Sequence, residues 1–389
     1  MRFSISVDSS VVIVGSGLAG YAVARELRKL NTAIPITLLS ADHGGFYSKP
    51  MLSNVLSTGK DPASLLTGNT EKMRSQLKID IRPNHCVTTI NVARNVIQST
   101  NGEDVSYDQL ILAIGADQIR LPMQGDAVGK IYTVNDLDDY QTFYTALAEK
   151  KCVSIIGAGL IGCEFANDLA IAGYRVHVID ISLEPLGRLL PPEAGAFFRH
   201  KLEAAGVMFH LNTSVHSVNQ TEQTIRITLK NGEEIESDLV LSAVGLKPRT
   251  ELAEAAGLPV NRGIIVNRFL QTQANNIYAL GDCAEVAGKF LPFVMPITHA
   301  ARALAATLAG NPTPVCYPAM PILVKTPSCA TIASPPDFDM PGEWHIETNE
   351  NGVKALFINE ANELMGFALL GAATAEKSAL TPRLPAILM

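Results

Sequence analysis

The chain has 389 residues, 47 % of them hydrophobic and 18 % charged, with a formal net charge of −7. That length accommodates roughly two to three domains, and so apolar a composition excludes a disordered chain. The acidic balance argues against a generally nucleic-acid-binding surface and leaves room only for a local basic patch. Six cysteines, Cys86, Cys152, Cys163, Cys283, Cys316 and Cys329, form neither C-x-x-C nor C-x-x-x-x-C. This removes the local dithiol motifs and any zinc or iron–sulfur ligand spacing, so no metal is expected. Scattered cysteines fit a reducing compartment.

No segment has the length and apolarity of a membrane span. The first apolar run, Val11-Val12-Ile13-Val14, ends in Gly15 and not in a small-residue cleavage site. A buried strand explains it better than a signal peptide, and a cytoplasmic location follows as the default. Residues 11–20 read VVIVGSGLAG and residues 153–162 read VSIIGAGLIG. Each is a β-branched run, then G-x-G-x-x-G, then a helical pattern (Tyr21 to Leu30; Cys163 to Ala172) and a second strand (Ile36 to Leu39; Arg175 to Ile179). One such triplet is weak evidence, but here the βαβ context required of a dinucleotide-binding unit is present twice. Gly15 and Gly157 permit the tight turn, Gly17 and Gly159 let the backbone approach a pyrophosphate, and Gly20 and Gly162 let helix pack on strand. The free amides of each helix start then receive the phosphates.

An acid closing the second strand binds the adenosine ribose and repels a 2′-phosphate, which favours NAD over NADP. Asp180 stands there in the second unit. In the first unit the strand ends at Ser40 and the acid comes at Asp42, which reads equally well as a loop-capping aspartate. Further on, LILAIGA (110–116) and DLVLSAVGLKPRT (238–250) are apolar strands entering Gly turns, at Gly115 and Gly245. LQTQANNIYALGDCAEV ends a buried strand at Gly281-Asp282, and Pro296 precedes an alanine-rich helix. From Cys316 onward short strands alternate with Pro and Gly turns, as in a small mixed domain. The expected fold class is α/β, with two Rossmann-like dinucleotide-binding domains and a small α+β C-terminal domain.

Two Gly-rich units and a late I-Y-A-L-G-D segment together resemble the FAD- and NAD(P)-binding reductases with two dinucleotide-binding domains, which include glutathione reductase and the ferredoxin reductases. The resemblance covers essentially the whole chain. It implies an FAD-binding domain in two parts (1–117 and 245–315), an inserted NAD-binding domain (118–244) and a C-terminal domain (316–389). Disulfide reductases of this kind carry a cysteine pair after the first unit, and peroxidase and coenzyme A reductase relatives a single cysteine. The stretch ADHGGFYSKPMLSNVLSTG holds none. Its Tyr47-Ser48-Lys49-Pro50-Met51-Leu52-Ser53 instead resembles the Y-x-K/R-P-x-L-S stretch of reductases serving electron carriers. With Lys in place of the Arg usual in ferredoxin reductases, it looks most like the NADH-dependent rubredoxin reductases, whose close kin are the flavorubredoxin reductases.

The resemblance implies hydride transfer from NADH to FAD and then single-electron steps to rubredoxin, with no nucleic-acid partner. A monomer is the working expectation, although no residue pattern sets the oligomeric state. FAD contacts are implied for Gly15, Gly17, Leu18, Ala19, Gly20, Ser40, Asp42, Lys49 and Pro50. The same holds for Ala113, Gly115, Gly281, Asp282, Pro296, Ile297, Thr298 and Lys325. NADH contacts are implied for Gly157, Gly159, Leu160, Ile161, Gly162, Glu164 and Asp180, and Gly245 adds a further cofactor contact. Lys49 and Glu164 are the catalytic candidates, expected to form a coupled pair beside the reacting flavin nitrogen. Cys163, Cys283, His299 and Trp344 read as packing residues. Rival readings are a ferredoxin or flavorubredoxin reductase, and a non-enzymatic NADH-sensing flavoprotein. Because rubredoxins are themselves acidic, a docking patch of Arg120, Lys247, Arg249 and Lys325 is expected, with carrier reduction falling as salt shortens the Debye length from ~10 Å to ~3 Å.

Overall fold

A computed structural model of the chain describes residues 9–389; residues 1–8, at the start of the first expected domain, lie outside the described residues. Val11–Val14 is buried at every position, as a strand covered on both faces requires. It sits at the centre of a five-stranded parallel sheet in the order Ile277–Ala279, Gln109–Leu112, Val11–Val14, Ile36–Leu39, Asp80–Arg82. The strand Ile277–Ala279 therefore completes a sheet begun before the second unit. A second parallel sheet runs Val207–His210, Arg175–Ile179, Cys152–Ile156, Leu239–Ser242.

The internal similarity goes further than the glycine motifs. Each unit also carries a three-stranded antiparallel meander, Val87–Asn91 to Asp104–Ser106 in the first and Val215–Gln220 to Glu234–Ser237 in the second. The chain passes between the units through two strands, Ala116–Gln118 and Leu246–Pro248, which pair antiparallel. The C-terminal region is a five-stranded antiparallel sheet, ordered Ile322–Val324, Thr331–Ser334, Leu364–Gly371, Gly352–Ile358, Glu343–Asn349, followed by a short helix at Lys377–Leu380.

The two fingerprint helices span Leu18–Leu30 and Leu160–Ile171, each starting three residues before the periodic pattern does. Gly17 and Gly159 are their N-caps, so each first turn is built from residues that face the glycine loop and carry no amphipathic signal. The late alanine-rich helix spans Val294–Leu308 and packs along Leu18–Leu30. Pro296 thus lies inside its first turn and not before it. A proline is tolerated there because the first-turn N–H groups have no helical acceptor.

The hydrophobic cores divide in an informative way. One core gathers the first sheet with both helices that cover it. A second core joins the second sheet to the C-terminal sheet and also takes in Leu52, Val55 and Leu65. Residues 49–65, which come well before the second unit in sequence, are therefore seated against that unit and against the C-terminal sheet.

Candidate active site

Both glycine loops have the geometry of a dinucleotide cradle. Gly15 and Gly157 have φ of +113° and +109°, and a Cβ at either would collide with the carbonyl of Ala113 or Ala243, just past the end of the neighbouring strand. At Gly20 and Gly162 a Cβ would meet the carbonyl of Gly15 or Gly157, so helix and strand touch there. Gly17 and Gly159 differ: a Cβ there would meet nothing within 4 Å. That open face, over amides left unsatisfied at a helix start, suits an approaching pyrophosphate.

In the second cradle the Asp180 carboxylate accepts hydrogen bonds from Ala158 N (2.6 Å) and Ser182 N (2.7 Å). It is thereby held at the lip of the glycine loop. In the first cradle Ser16 Oγ lies 2.6 Å from Ser40 Oγ and donates to Asp42 Oδ1 at 3.1 Å. Gly44 N also donates to that oxygen, at 2.8 Å, and Ser40 Oγ is bonded to it as well. Asp42 thus caps its own loop and is tied to the fingerprint turn at the same time. Ala113 and Gly115 follow the strand Gln109–Leu112; Gly115 accepts from Arg249 N at 3.1 Å, and Gly245 accepts from Ile119 N at 3.0 Å.

Gly281 (φ +80°) packs so closely on Ala19 of the first fingerprint helix that a Cβ could not fit, and Ile297 lies beside it. Asp282 and the start of the late helix, with Pro296 and Ile297 buried and Thr298 partly exposed, are therefore both delivered to the first cradle. The late helix carries no acidic residue in its first turn, so its positive end is left for an anionic ligand.

Lys49 and Asp282 are electrostatic partners. Burial pushes the Lys49 ammonium down, opposed chiefly by the Asp282 charge. Burial likewise pushes the Asp282 carboxyl up, opposed by Lys49. The Lys49 Nζ donates to Asn135 Oδ1 (2.7 Å), and Asn135 Nδ2 donates in turn to Ala116 O (2.9 Å), at the strand that leads between the units.

The expected Lys49–Glu164 pair is not formed. Glu164 is fully buried and binds Lys325, accepting from both its backbone N (2.9 Å) and its Nζ. Ser53 Oγ donates to the second carboxylate oxygen at 2.6 Å. The reason is register. Lys49–Asn54 is a short 3-10 helix that lies against Leu160–Ile171, and it turns Ser53 toward Glu164 while Lys49 points to Asn135. Asn54 Nδ2 then donates to Lys325 O (3.0 Å). Ser53, Asn54 and Asn135 were missed by sequence reasoning, though Ser53 closes the quoted Y-S-K-P-M-L-S stretch. Pro50 occupies the first turn of the same short helix, while Leu18 and Ala19, like Leu160 and Ile161, form the first turns of the fingerprint helices.

The expected basic patch is largely neutralised. Arg249 grips Asp117 through Nε and Nη2 (2.8 and 2.6 Å), Lys247 pairs with Glu251 (3.1 Å), and Lys325 is committed to Glu164. Of the four, only Arg120 has no ion pair among the described residues. Cys163 and Cys283 are buried thiols bonded to backbone carbonyls, His299 meets Tyr317 edge-on at 6.5 Å, and Trp344 meets Phe357 at 5.4 Å.

Two dinucleotide cradles whose ligand-facing elements converge on Lys49, Asp282 and the Glu164–Ser53–Lys325 junction define an oxidoreductase that couples a nicotinamide nucleotide to a flavin. The chain belongs to the pyridine nucleotide-disulphide oxidoreductase family, whose model matches residues 9–306. Residues 314–384 match a second model, the rubredoxin binding C-terminal domain. The chain is 45 % identical over 383 residues to a rubredoxin-NAD(+) reductase of Alcanivorax borkumensis, covering 97 % of this chain and 99 % of that one. It is 46 % identical over 378 residues to a rubredoxin-NAD(+) reductase of Acinetobacter baylyi, covering 95 % and 96 %. Among solved structures, the covalent putidaredoxin reductase–putidaredoxin complex aligns with a TM-score of 0.87 at 27 % identity, covering 98 % of this chain and 94 % of that one.

Proposed function

We propose that this chain is an FAD-dependent reductase that oxidises NADH and passes the electrons to rubredoxin, working in the cytosol. One observation carries the reading: Lys325, inside the segment that matches the rubredoxin binding domain, is ion-paired to Glu164 on the helix of the nicotinamide cradle. The carrier-binding region and the NADH-binding helix thus meet at one buried junction. Six unpaired cysteines accord with a reducing compartment.

FAD, when bound, accepts the hydride and releases electrons singly, chemistry that belongs to the cofactor. The protein's residues bind, orient and tune. The two helix starts hold the pyrophosphates, and Asp180 takes the ribose hydroxyls of NADH. Asp282 binds the polyol chain of FAD, and the first turn of the late helix supplies positive potential beside it. Lys49, held by Asn135, keeps a cation by the flavin. Glu164 is fixed by Ser53 and Lys325, so its charge is compensated within the site.

Stopped-flow reduction of the bound flavin by NADH, followed by reoxidation with rubredoxin or with a plant-type ferredoxin, tests the reading. Reduction by NADH with rubredoxin as the faster acceptor is expected. A faster ferredoxin reaction would assign the chain to ferredoxin reduction. Slow transfer to both carriers from a long-lived reduced complex would point to an NADH sensor.

A further inference from the structure

The helix Leu160–Ile171 carries a buried polar face that the chemistry above uses only in part. Glu164, Asn167 and Asp168 are all fully buried, and their spacing of three and four residues puts them on one side of the helix. Glu164 holds Ser53 and Lys325. Asn167 exchanges hydrogen bonds with Ser328, donating to its Oγ (2.6 Å) and accepting from its N (3.2 Å). Asp168 meets the segment that follows Ser53. Its two oxygens accept from the backbone N–H groups of Leu56 (3.1 Å) and Ser57 (2.8 Å).

A fully buried carboxylate without a cation is costly, and no ion pair reaches Asp168 among the described residues. Burial pushes its carboxyl up, against hydrogen bonds from the Ser57 hydroxyl and from the amides of Ser57, Leu56 and Val55. What a carboxylate does here, and no neutral side chain of its size can, is accept two successive N–H groups while bringing no donor of its own. Those two amides follow the 3-10 helix Lys49–Asn54 after its C-cap, Val55. One helical turn earlier, Glu164 binds Ser53 of that same segment. Two carboxylates a turn apart therefore fix residues 53 and 56–57 against the nicotinamide helix and allow the segment only one register.

We propose that Asp168 is a positioning residue for hydride transfer: by clamping the Leu56 and Ser57 amides, it sets where Lys49 stands relative to the nicotinamide cradle. The inference rests on the reading of the chain as an NADH-oxidising flavoprotein. Asp168→Asn is isosteric, but its amide must turn a donor toward one of the two N–H groups. In the holoenzyme the flavin-reduction rate at saturating NADH should fall by roughly tenfold to a hundredfold, the cost of a misplaced reacting group. The dissociation constant for NAD, measured calorimetrically on the apoprotein, should stay within about threefold, because the cradle is intact. Amide exchange at residues 56–57 should accelerate in apoprotein and holoenzyme alike. Ser57→Pro, which deletes both donors that Ser57 offers Asp168, its N–H and its hydroxyl, should reproduce the rate loss. Added to Lys49→Ala, Asp168→Asn should cost little more, since both act through one group. An undiminished rate, even with lowered stability, or losses that multiply in the double variant, would overturn the assignment. If instead NADH leaves the wild-type flavin oxidised, the functional reading fails, while the exchange measurement still reports on the clamp.

Discussion

Glu164 and Lys325, 161 positions apart in the chain, are joined twice, through the lysine backbone N–H and through its side-chain ammonium. The carboxylate sits on the helix of the nicotinamide cradle and the lysine at the end of the first strand of the C-terminal sheet. This contact ties the NADH side of the molecule to the rubredoxin-binding side. It is also a buried charge pair, with Glu164 wholly enclosed and Lys325 partly exposed.

Removing one partner of such a pair leaves the other without compensation. Lys325→Met should therefore destabilise the protein by about 1–3 kcal/mol, read as a lower denaturant midpoint at unchanged slope. Glu164→Ala should slow flavin reduction by NADH more than it weakens FAD binding. If both variants keep wild-type reduction rates, the junction is structural only.

Asp180 should make the enzyme selective for NADH. A carboxylate held at the lip of the cradle by two backbone amides cannot swing away from a 2′-phosphate. The expected ratio of kcat/KM for NADH over NADPH is on the order of a hundredfold, and Asp180→Ala should lower it. Equal turnover of the two nucleotides by the wild-type enzyme would show that Asp180 does not read the ribose.

Lys49 should impose a pH dependence on the stability of the apoprotein. Its ammonium is pushed below the ordinary lysine value, with burial the leading cause. Between the lowered value and the ordinary one the unfolded chain binds the proton more tightly, so stability rises with pH across that window. Below it the burial penalty applies in full. Lys49→Met should therefore raise Tm at pH 7, with the gain shrinking toward pH 10, even as hydride transfer slows. A gain of the same size at every pH would mean that the charge of Lys49 is not what burial opposes.

Carrier docking should depend less on salt than a free basic patch would dictate. Arg249, Lys247 and Lys325 each face a carboxylate at hydrogen-bonding distance, which leaves little net positive field for steering. Phe338, fully exposed within the segment that matches the rubredoxin binding domain, offers an aromatic anchor instead. Phe338→Ala should raise KM for rubredoxin by about tenfold, equivalent to ~1.4 kcal/mol, without changing flavin reduction by NADH. A steep loss of carrier turnover with salt, and an unaffected KM in the variant, would restore the electrostatic account.

The cysteines should be chemically quiet around the site. Burial pushes the Cys283 thiol up to about 11 and that of Cys163 higher still, so at pH 8 about one Cys283 in a thousand is ionised. In native protein an aromatic disulfide reagent should titrate Cys86 and Cys316, which are exposed, ahead of Cys152, Cys163, Cys283 and Cys329, which are buried. Fast reaction at Cys283 would reopen a thiol role beside Asp282.

What the sequence by itself determined is whatever short-range physics dictates. The strand–Gly-x-Gly-x-x-Gly–helix units are local: the collisions that a Cβ would make at Gly15, Gly20, Gly157 and Gly162 lie within one βαβ turn or just past the end of the adjacent strand. A reader of residues 11–20 and 153–162 can therefore see both cradles, and Asp180 with them. The strands Ile36–Leu39 and Arg175–Ile179 were likewise legible to the residue, because buried β-branched runs end sharply at polar neighbours. The first turns of the three site helices were not, since they face glycine loops or carry a proline and show no periodicity. Only the tertiary structure decided the partners of the charged residues. Lys49 and Glu164 were both visible, but which cation meets Glu164 depends on how the 3-10 helix Lys49–Asn54 is rotated in its groove and on where a strand of the C-terminal sheet comes to rest. Asn135, Asn54 and Asp168 escaped notice for the same reason. Each belongs to an ordinary-looking polar position whose importance arises from a contact made across 80 residues or more, and sequence periodicity carries no information at that range.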